Sequence, residues 1–165
     1  MILKKFIRTI LILMIVGVNI GCDQVSKNIV RKNVYFYDNI QLLGKHLTLT
    51  KVENSGAFLS LGANLPDFAK MLFLLALPVI ALILGLVFLL FKSDLPNQKL
   101  VGLCFIIGGG IGNLFDRWRY GSVTDFLHIQ VGIFQTGIFN LADVSIMVGA
   151  FIILSGSFIR RKALS

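Results

Sequence analysis

The chain has 165 residues, of which 56% are hydrophobic and only 15% charged, with a mean hydropathy of +0.83. That excludes an ordinary water-soluble globule, where about a quarter of the residues carry charge, and it excludes a disordered chain, which lacks this much apolar material. Sixteen Lys and Arg against eight Asp and Glu give a formal charge of +8. Most of these bases flank apolar runs, which points to membrane edges rather than to nucleic acid.

In chain order, the first apolar run is Thr9 to Cys22, preceded by Lys4, Lys5 and Arg8 and followed by Asp23. It predicts a span over about 6–26. The string Ile20-Gly21-Cys22 behind a basic start also has the form of a lipoprotein signal peptide whose cysteine would be acylated. Asn19 is a poor residue for such a cleavage site and three further spans follow, so a retained helix is the better reading. A polar segment of about 28–67 comes next. Within it, Leu47-Thr48-Leu49-Thr50 alternates with the period of a strand and Asn54-Ser55-Gly56 signals a turn, which predicts a small β element at the membrane surface.

Met71 to Phe91 holds 21 residues without a charge. At ~1.5 Å per residue this crosses a hydrocarbon core of ~30 Å, with Pro78 as a tolerated kink in a span of about 69–91. A short loop with Pro96 follows. Leu100 to Phe115 and Val144 to Ile159 each give 16 uncharged residues. They become spans of about 99–117 and 138–159 only by taking in Asp116, or Asn140 and Asp143. A second non-spanning segment, about 118–137, joins them. Gly108 and Gly112 form a small-xxx-small pair suited to close helix packing. Residues 1–165 thus read as one domain, an all-α integral membrane protein with four transmembrane helices and a small extracytoplasmic β element. Cys22 and Cys104 lie in apolar runs and His46 and His128 are isolated, so no metal or other cofactor is expected. With both termini inside, eight basic residues fall on each side; Lys4, Lys5 and Arg8 favour an inside N-terminus.

The acidic residues share a depth. Arg8 to Asp23 is 15 residues, and Lys99 to Asp116 and Asp143 to Arg160 are 17 each, or ~22–25 Å of helix. An ionisable group there costs on the order of 1–3 kcal/mol, so it faces a bundle interior or a wet cavity. Asn113, Asp116 and Arg117 sit at i, i+3 and i+4; Asn140 and Asp143 are three apart; Asp23 and Lys27 are four apart and can pair. Asp23–Lys27 and Asp116–Arg117 also read as interfacial pairs, whereas Asp143 has no basic neighbour. Two functional classes follow. Asp23, Asp116 and Asp143 could form a proton relay in a carrier. Alternatively Asp143 joins Asp125, 18 residues earlier, through a hairpin at Gly132 and Gly137, and two such carboxylates share one proton and split the roles of base and acid.

The strings DQVSK (Asp23 to Lys27), NSGAFLSL (Asn54 to Leu61), GGGIGNLFDRW (Gly108 to Trp118), VTDF (Val123 to Phe126) and FNLADVSI (Phe139 to Ile146) resemble, in order and spacing, those of the lipoprotein signal peptidase (signal peptidase II) family. The resemblance implies a bacterial membrane aspartyl endopeptidase with four spans and cytoplasmic termini. Such an enzyme cleaves prolipoproteins before a diacylglyceryl-modified cysteine. It implies Asp125 and Asp143 as the catalytic dyad, and Asp23, Asn54, Asn113, Arg117 and Asn140 as residues that support the dyad or hold substrate. It also implies an inner-membrane location with the site near the outer leaflet, contact with membrane lipid, a monomer, and inhibition by globomycin-type peptides. The segment from Val34 to Lys45 does not match the family pattern.

Overall fold

The computed structural model describes residues 2–57 and 60–162, with side chains through 156. Phe58 and Leu59 of the NSGAFLSL string, and the side chains of Arg160, Arg161 and Lys162, lie outside the described residues.

Helix α1 runs over Ile2–Asn33. No proline interrupts it, and Arg31 and Lys32 in its last turn suit the negative end of the helix dipole. Asn33 Nδ2 donates back to the Ile29 carbonyl at 2.8 Å, closing the final turn. Strands β1 (Ile40–Leu43) and β2 (Leu47–Asn54) follow as an antiparallel pair. The next helix is continuous from Asp67 to Phe91, built as α2 (Asp67–Lys70), a π-helical turn (Met71–Ala76) and α3 (Leu77–Phe91). The widened turn lies immediately ahead of Pro78, whose ring would otherwise press on the carbonyl four residues back. Helix α4 (Asn97–Tyr120) ends at Gly121 with φ +76°, the left-handed conformation that glycine adopts without strain. Strands β3 (Val123–Val131) and β4 (Phe134–Gln135) lead to α5 (Leu141–Lys162).

Among the described residues three helices, Ile2–Asn33, Asp67–Phe91 and Asn97–Tyr120, are long and apolar enough to cross a membrane, while the apolar part of α5, Leu141–Gly156, is shorter. The β element is larger than the sequence suggests. It is a four-stranded antiparallel sheet in the order β1-β2-β3-β4, half of it supplied by the segment following α4. The alternation that betrays a strand is missing from Val123 to Phe126 because all four residues are buried, Thr124 against α1 and α4 and Val123 and Asp125 toward an internal cavity.

Helix α4 is the centre of the bundle, and its glycines explain why. A methyl group on Gly108 would stand 2.6 Å from Asn19 Cβ, and one on Gly112 would stand 2.5 Å from Asp23 Oδ2, so α1 packs on this face as the small-xxx-small pair predicts. Gly109 meets the Ala142 carbonyl and Gly149 meets the Gly102 carbonyl, so α5 packs on the other face. Ile12, Val16, Leu89, Cys104 and Ile107 fill the bundle, and Val30, Val34 and Phe126 fill the space under the sheet. At the far end, Arg8 Nη2 donates to the Leu89 and Lys92 carbonyls at 2.8 and 2.6 Å, capping α3 from α1.

Gly109→Ala is expected to lower thermal stability in detergent by roughly 1–3 kcal/mol, because the obstacle is backbone and cannot rotate away. Gly17→Ala, with nothing within 4 Å of the added carbon, serves as its control and is expected to leave stability unchanged or slightly raised. Equal melting temperatures for the two variants would contradict the close α4–α5 contact.

Candidate active site

Asn140 precedes the first residue of α5 and caps it. Its Oδ1 accepts the Asp143 backbone N–H at 3.0 Å, and Asp143 Oδ2 accepts the Asn140 N–H in return at 3.1 Å. This reciprocal arrangement satisfies two of the donors a helix start leaves open, and it fixes the Asp143 carboxylate at the positive end of the helix. Asp143 Oδ1 accepts a third bond, from Asn113 Nδ2 on α4, at 2.8 Å.

Asp125 arrives from the sheet. Gly132, at φ +60°, turns the chain between β3 and β4, and the returning strand runs alongside β3: Phe126 and Leu127 donate to the Phe139 carbonyl at 3.0 and 2.8 Å, and Phe139 donates to Leu127 at 2.8 Å. That pairing sets Asp125 beside Asn140. Asn140 Nδ2 donates to Asp125 Oδ1 at 2.6 Å while its backbone N–H donates to Asp143 Oδ2, so one residue holds both carboxylates. Asn54, at the end of β2, donates from Nδ2 to Asp125 Oδ2 at 3.1 Å and to the Ala57 carbonyl at 3.0 Å, while its Oδ1 accepts the Gly56 N–H at 3.0 Å. Asn54 thus both forms the turn and bonds the Asp125 carboxylate. Burial pushes the Asp125 carboxyl up from 3.8 to about 6; the amide bond from Asn54 opposes the shift and the Asp143 charge adds to it.

Arg117 Nη2 donates to the Gly56 carbonyl at 3.0 Å. Among the described residues its buried Nε has no hydrogen-bond partner. Asn54, Asn113, Arg117, Asp125 and Asp143 form the polar end of a cavity of about 860 Å³. Its long walls are apolar, with Phe73, Leu74 and Pro78 on one side and Val144, Met147 and Val148 on the other. Asn140 is fully buried behind the carboxylates that it holds. Among the described residues no group of three or more His, Cys, Asp or Glu is placed to hold a metal ion.

Asp23 and Asp116 lie elsewhere. Both are fully buried with Lys27, whose Nζ is 2.8 Å from Asp23 Oδ2, 3.2 Å from Asp116 Oδ2 and 2.9 Å from Asn113 Oδ1. Arg31 Nη2 reaches Asp116 Oδ2 at 2.8 Å, and its Nε donates to Thr124 Oγ1 at 2.8 Å. Gln24 Nε2 donates to both carboxylates at 3.0 and 3.1 Å. Asp116 therefore makes no pair with Arg117: neighbours on a helix point about 100° apart, so Asp116 faces α1 and β3 while Arg117 faces the cavity. Asp23 Oδ1 accepts the Ala142 N–H at 3.0 Å, supporting the start of α5 from behind. The three-aspartate relay is not assembled, since two of its members are paired with cations outside the cavity. Lys27, Arg31, Gln24 and Thr124 were not among the expected site residues. The signal was present for Asp23, Lys27 and Arg31, which share one helix face at four-residue intervals.

A sequence profile described as signal peptidase (SPase) II matches residues 14–159. The chain belongs to the signal peptidase II family. The lipoprotein signal peptidase of Aquifex aeolicus (strain VF5) is 34% identical over 142 residues, covering 86% of this chain and 82% of that one. That of Pasteurella multocida (strain Pm70) is 36% identical over 141 residues, covering 84% and 83%. A solved bacterial membrane enzyme, determined by the in meso method at 2.3 Å, is similar in fold with a TM-score of 0.81 at 25% identity, covering 93% of this chain and 91% of its own. Membership of the signal peptidase II family makes this an aspartic-type peptidase, and the resemblance carried by the five strings holds over nearly the whole chain.

Proposed function

We propose that Asp125 and Asp143 are the catalytic dyad of a peptidase that removes signal peptides from prolipoproteins, cutting before a diacylglyceryl-modified cysteine. The observation that carries this reading is Asn140, which bonds both carboxylates at the polar end of one apolar-walled cavity. Each carboxylate accepts two N–H bonds, but Asp143 has the helix start beneath it and is the base, while Asp125, the more buried, holds the proton. Asp143 takes a proton from water as the hydroxyl adds to the scissile carbonyl carbon, and Asp125 gives its proton to the carbonyl oxygen. Collapse of the tetrahedral intermediate breaks the C–N bond, Asp143 protonates the leaving amine, and Asp125 recovers its proton. Asn54, Asn113 and Asn140 hold the carboxylates, Arg117 offers its unpartnered Nε–H to a substrate carbonyl, and Asp23 supports the start of α5.

In this reading residues 1–165 form one membrane domain, with α5 as a fourth span beside the three longer helices. Both termini are cytoplasmic and the dyad lies near the outer leaflet of the bacterial inner membrane, where water reaches it. Lys4, Lys5 and Arg8 in the first turns of α1, and the sheet at the dyad end of the bundle, support that orientation. The apolar walls between Phe73 and Met147 suit acyl chains and an apolar signal helix arriving through the lipid. The protein acts as a monomer and binds globomycin-type peptides. The purified chain in lipid is expected to cleave a diacylglyceryl-modified precursor, to spare the same precursor without its lipid, and to be blocked by globomycin. Equal cleavage of both precursors would overturn the substrate assignment.

The raised Asp125 value has a consequence for stability. The folded state keeps a proton that the unfolded chain releases near pH 4, so the associated stabilisation is full below that pH and is lost as pH rises through about 6. The melting temperature is expected to fall between pH 5 and 7.5, and Asp125→Asn is expected to reduce that slope. An unchanged slope in the variant would assign the proton to another group.

A further inference from the structure

Lys27 is the only cation among the described residues that touches both the buried ion cluster and a residue bonded to the dyad. We infer that Lys27 is a positioning residue for cleavage: its buried ammonium sets which end of the Asn113 amide faces Asp143. The inference rests on the dyad reading given above. The ammonium has three N–H groups, and the structure supplies three acceptors, Asp23, Asp116 and Asn113. Asp23 and Asp116 do not line the cavity, so Asn113 is the route from Lys27 to the reacting groups.

At Asn113 the polarity of the amide is decided from one side. Its Oδ1 accepts from Lys27 Nζ at 2.9 Å and from Asn140 Nδ2 at 3.1 Å, which leaves Nδ2 to donate to Asp143 Oδ1 at 2.8 Å. Rotating the amide by half a turn would set an NH2 group against an ammonium and a second amide nitrogen, and would set a carbonyl oxygen against a carboxylate. All three contacts would become repulsive, and Asp143 would lose the donor that holds its Oδ1. With a neutral apolar side chain at position 27, the charged contact is gone and only the Asn140 bond and the Asp143 bond itself oppose that rotation.

Removing Lys27 alone strands Asp23 in the interior, so the test is made in an Asp23→Asn background, where losing the ammonium leaves Arg31 and Asp116 balanced. Four proteins are compared on a lipidated precursor: Asp23→Asn alone, with Lys27→Met, with Asn113→Ala, and with both. Lys27→Met is expected to lower kcat roughly tenfold or more with KM within about threefold, and to cost less than about threefold once Asn113 is already Ala. Lys27→Gln, which keeps an N–H donor, is expected to recover part of the lost kcat, and it replaces Met in the same cycle if the Met variant does not fold. Losses that multiply independently in the two backgrounds, or a loss confined to KM, would overturn the positioning role. The dyad reading fails separately, if Asp125→Asn or Asp143→Asn retains cleavage.

Discussion

Asp125→Asn and Asp143→Asn are each expected to lower kcat by roughly 10³-fold or more while the chain still inserts and folds. Asn matches Asp in shape and keeps an Oδ1 acceptor, so the cavity survives the exchange while the shared proton does not. The double variant is expected to be no worse than either single one, since two carboxylates acting as a unit are lost together. Cleavage of a diacylglyceryl-modified precursor by detergent-solubilised protein, with melting temperature as the folding check, measures both. Retention of a tenth of the activity by either variant would remove that residue from the dyad. A proton relay through the spans would tolerate Asp125→Asn, because Asp125 stands on a strand rather than in a helix.

Asp116→Leu is expected to act on the fold rather than on the chemistry, with a loss of about 3–5 kcal/mol. Its carboxylate takes bonds from Lys27, Arg31, Gln24 and the Thr124 backbone N–H, all at 3.2 Å or less. Without it, the buried Lys27 keeps only Asp23 as a carboxylate partner, the partly buried Arg31 loses its ion pair, and β3 loses its anchor at Thr124 next to Asp125. The variant is expected to accumulate poorly in membranes and to melt well below the parent in detergent. Asp94→Leu, whose exposed carboxylate pairs loosely with Lys92 at 3.3 Å, is expected to behave like the parent. Similar melting temperatures for the two would show that the buried cluster contributes little.

How much of this was legible in the sequence differs from residue to residue. Asn140 and Asp143 could be read together because a helix start imposes their spacing of three. Asn54 announced itself as a turn residue, and the turn is what points its amide at Asp125. Strand β3 was not legible: Thr124 faces Arg31 and Asp116 while Asp125 faces the cavity, so both sides of the strand are polar and buried and the usual alternation vanishes. The extent of α1 was hidden for a related reason. Lys27, Arg31 and Lys32 look like surface bases beyond the end of a span near residue 26, yet the helix continues to Asn33. Lys27 is buried only because Asp116 and Asn113 meet it from α4, 86 or more positions away in the chain. No local pattern reports such a distant partner.

The reciprocal bonds between Asn140 and Asp143 give the protein a form of latency. In the proposed dyad, Asp143 takes its orientation only after the first turn of α5 has wound, and α5 follows the other described helices in the chain. On that proposal, a chain in which α1 to α4 have formed but α5 has not carries both aspartates without the bonds that orient Asp143.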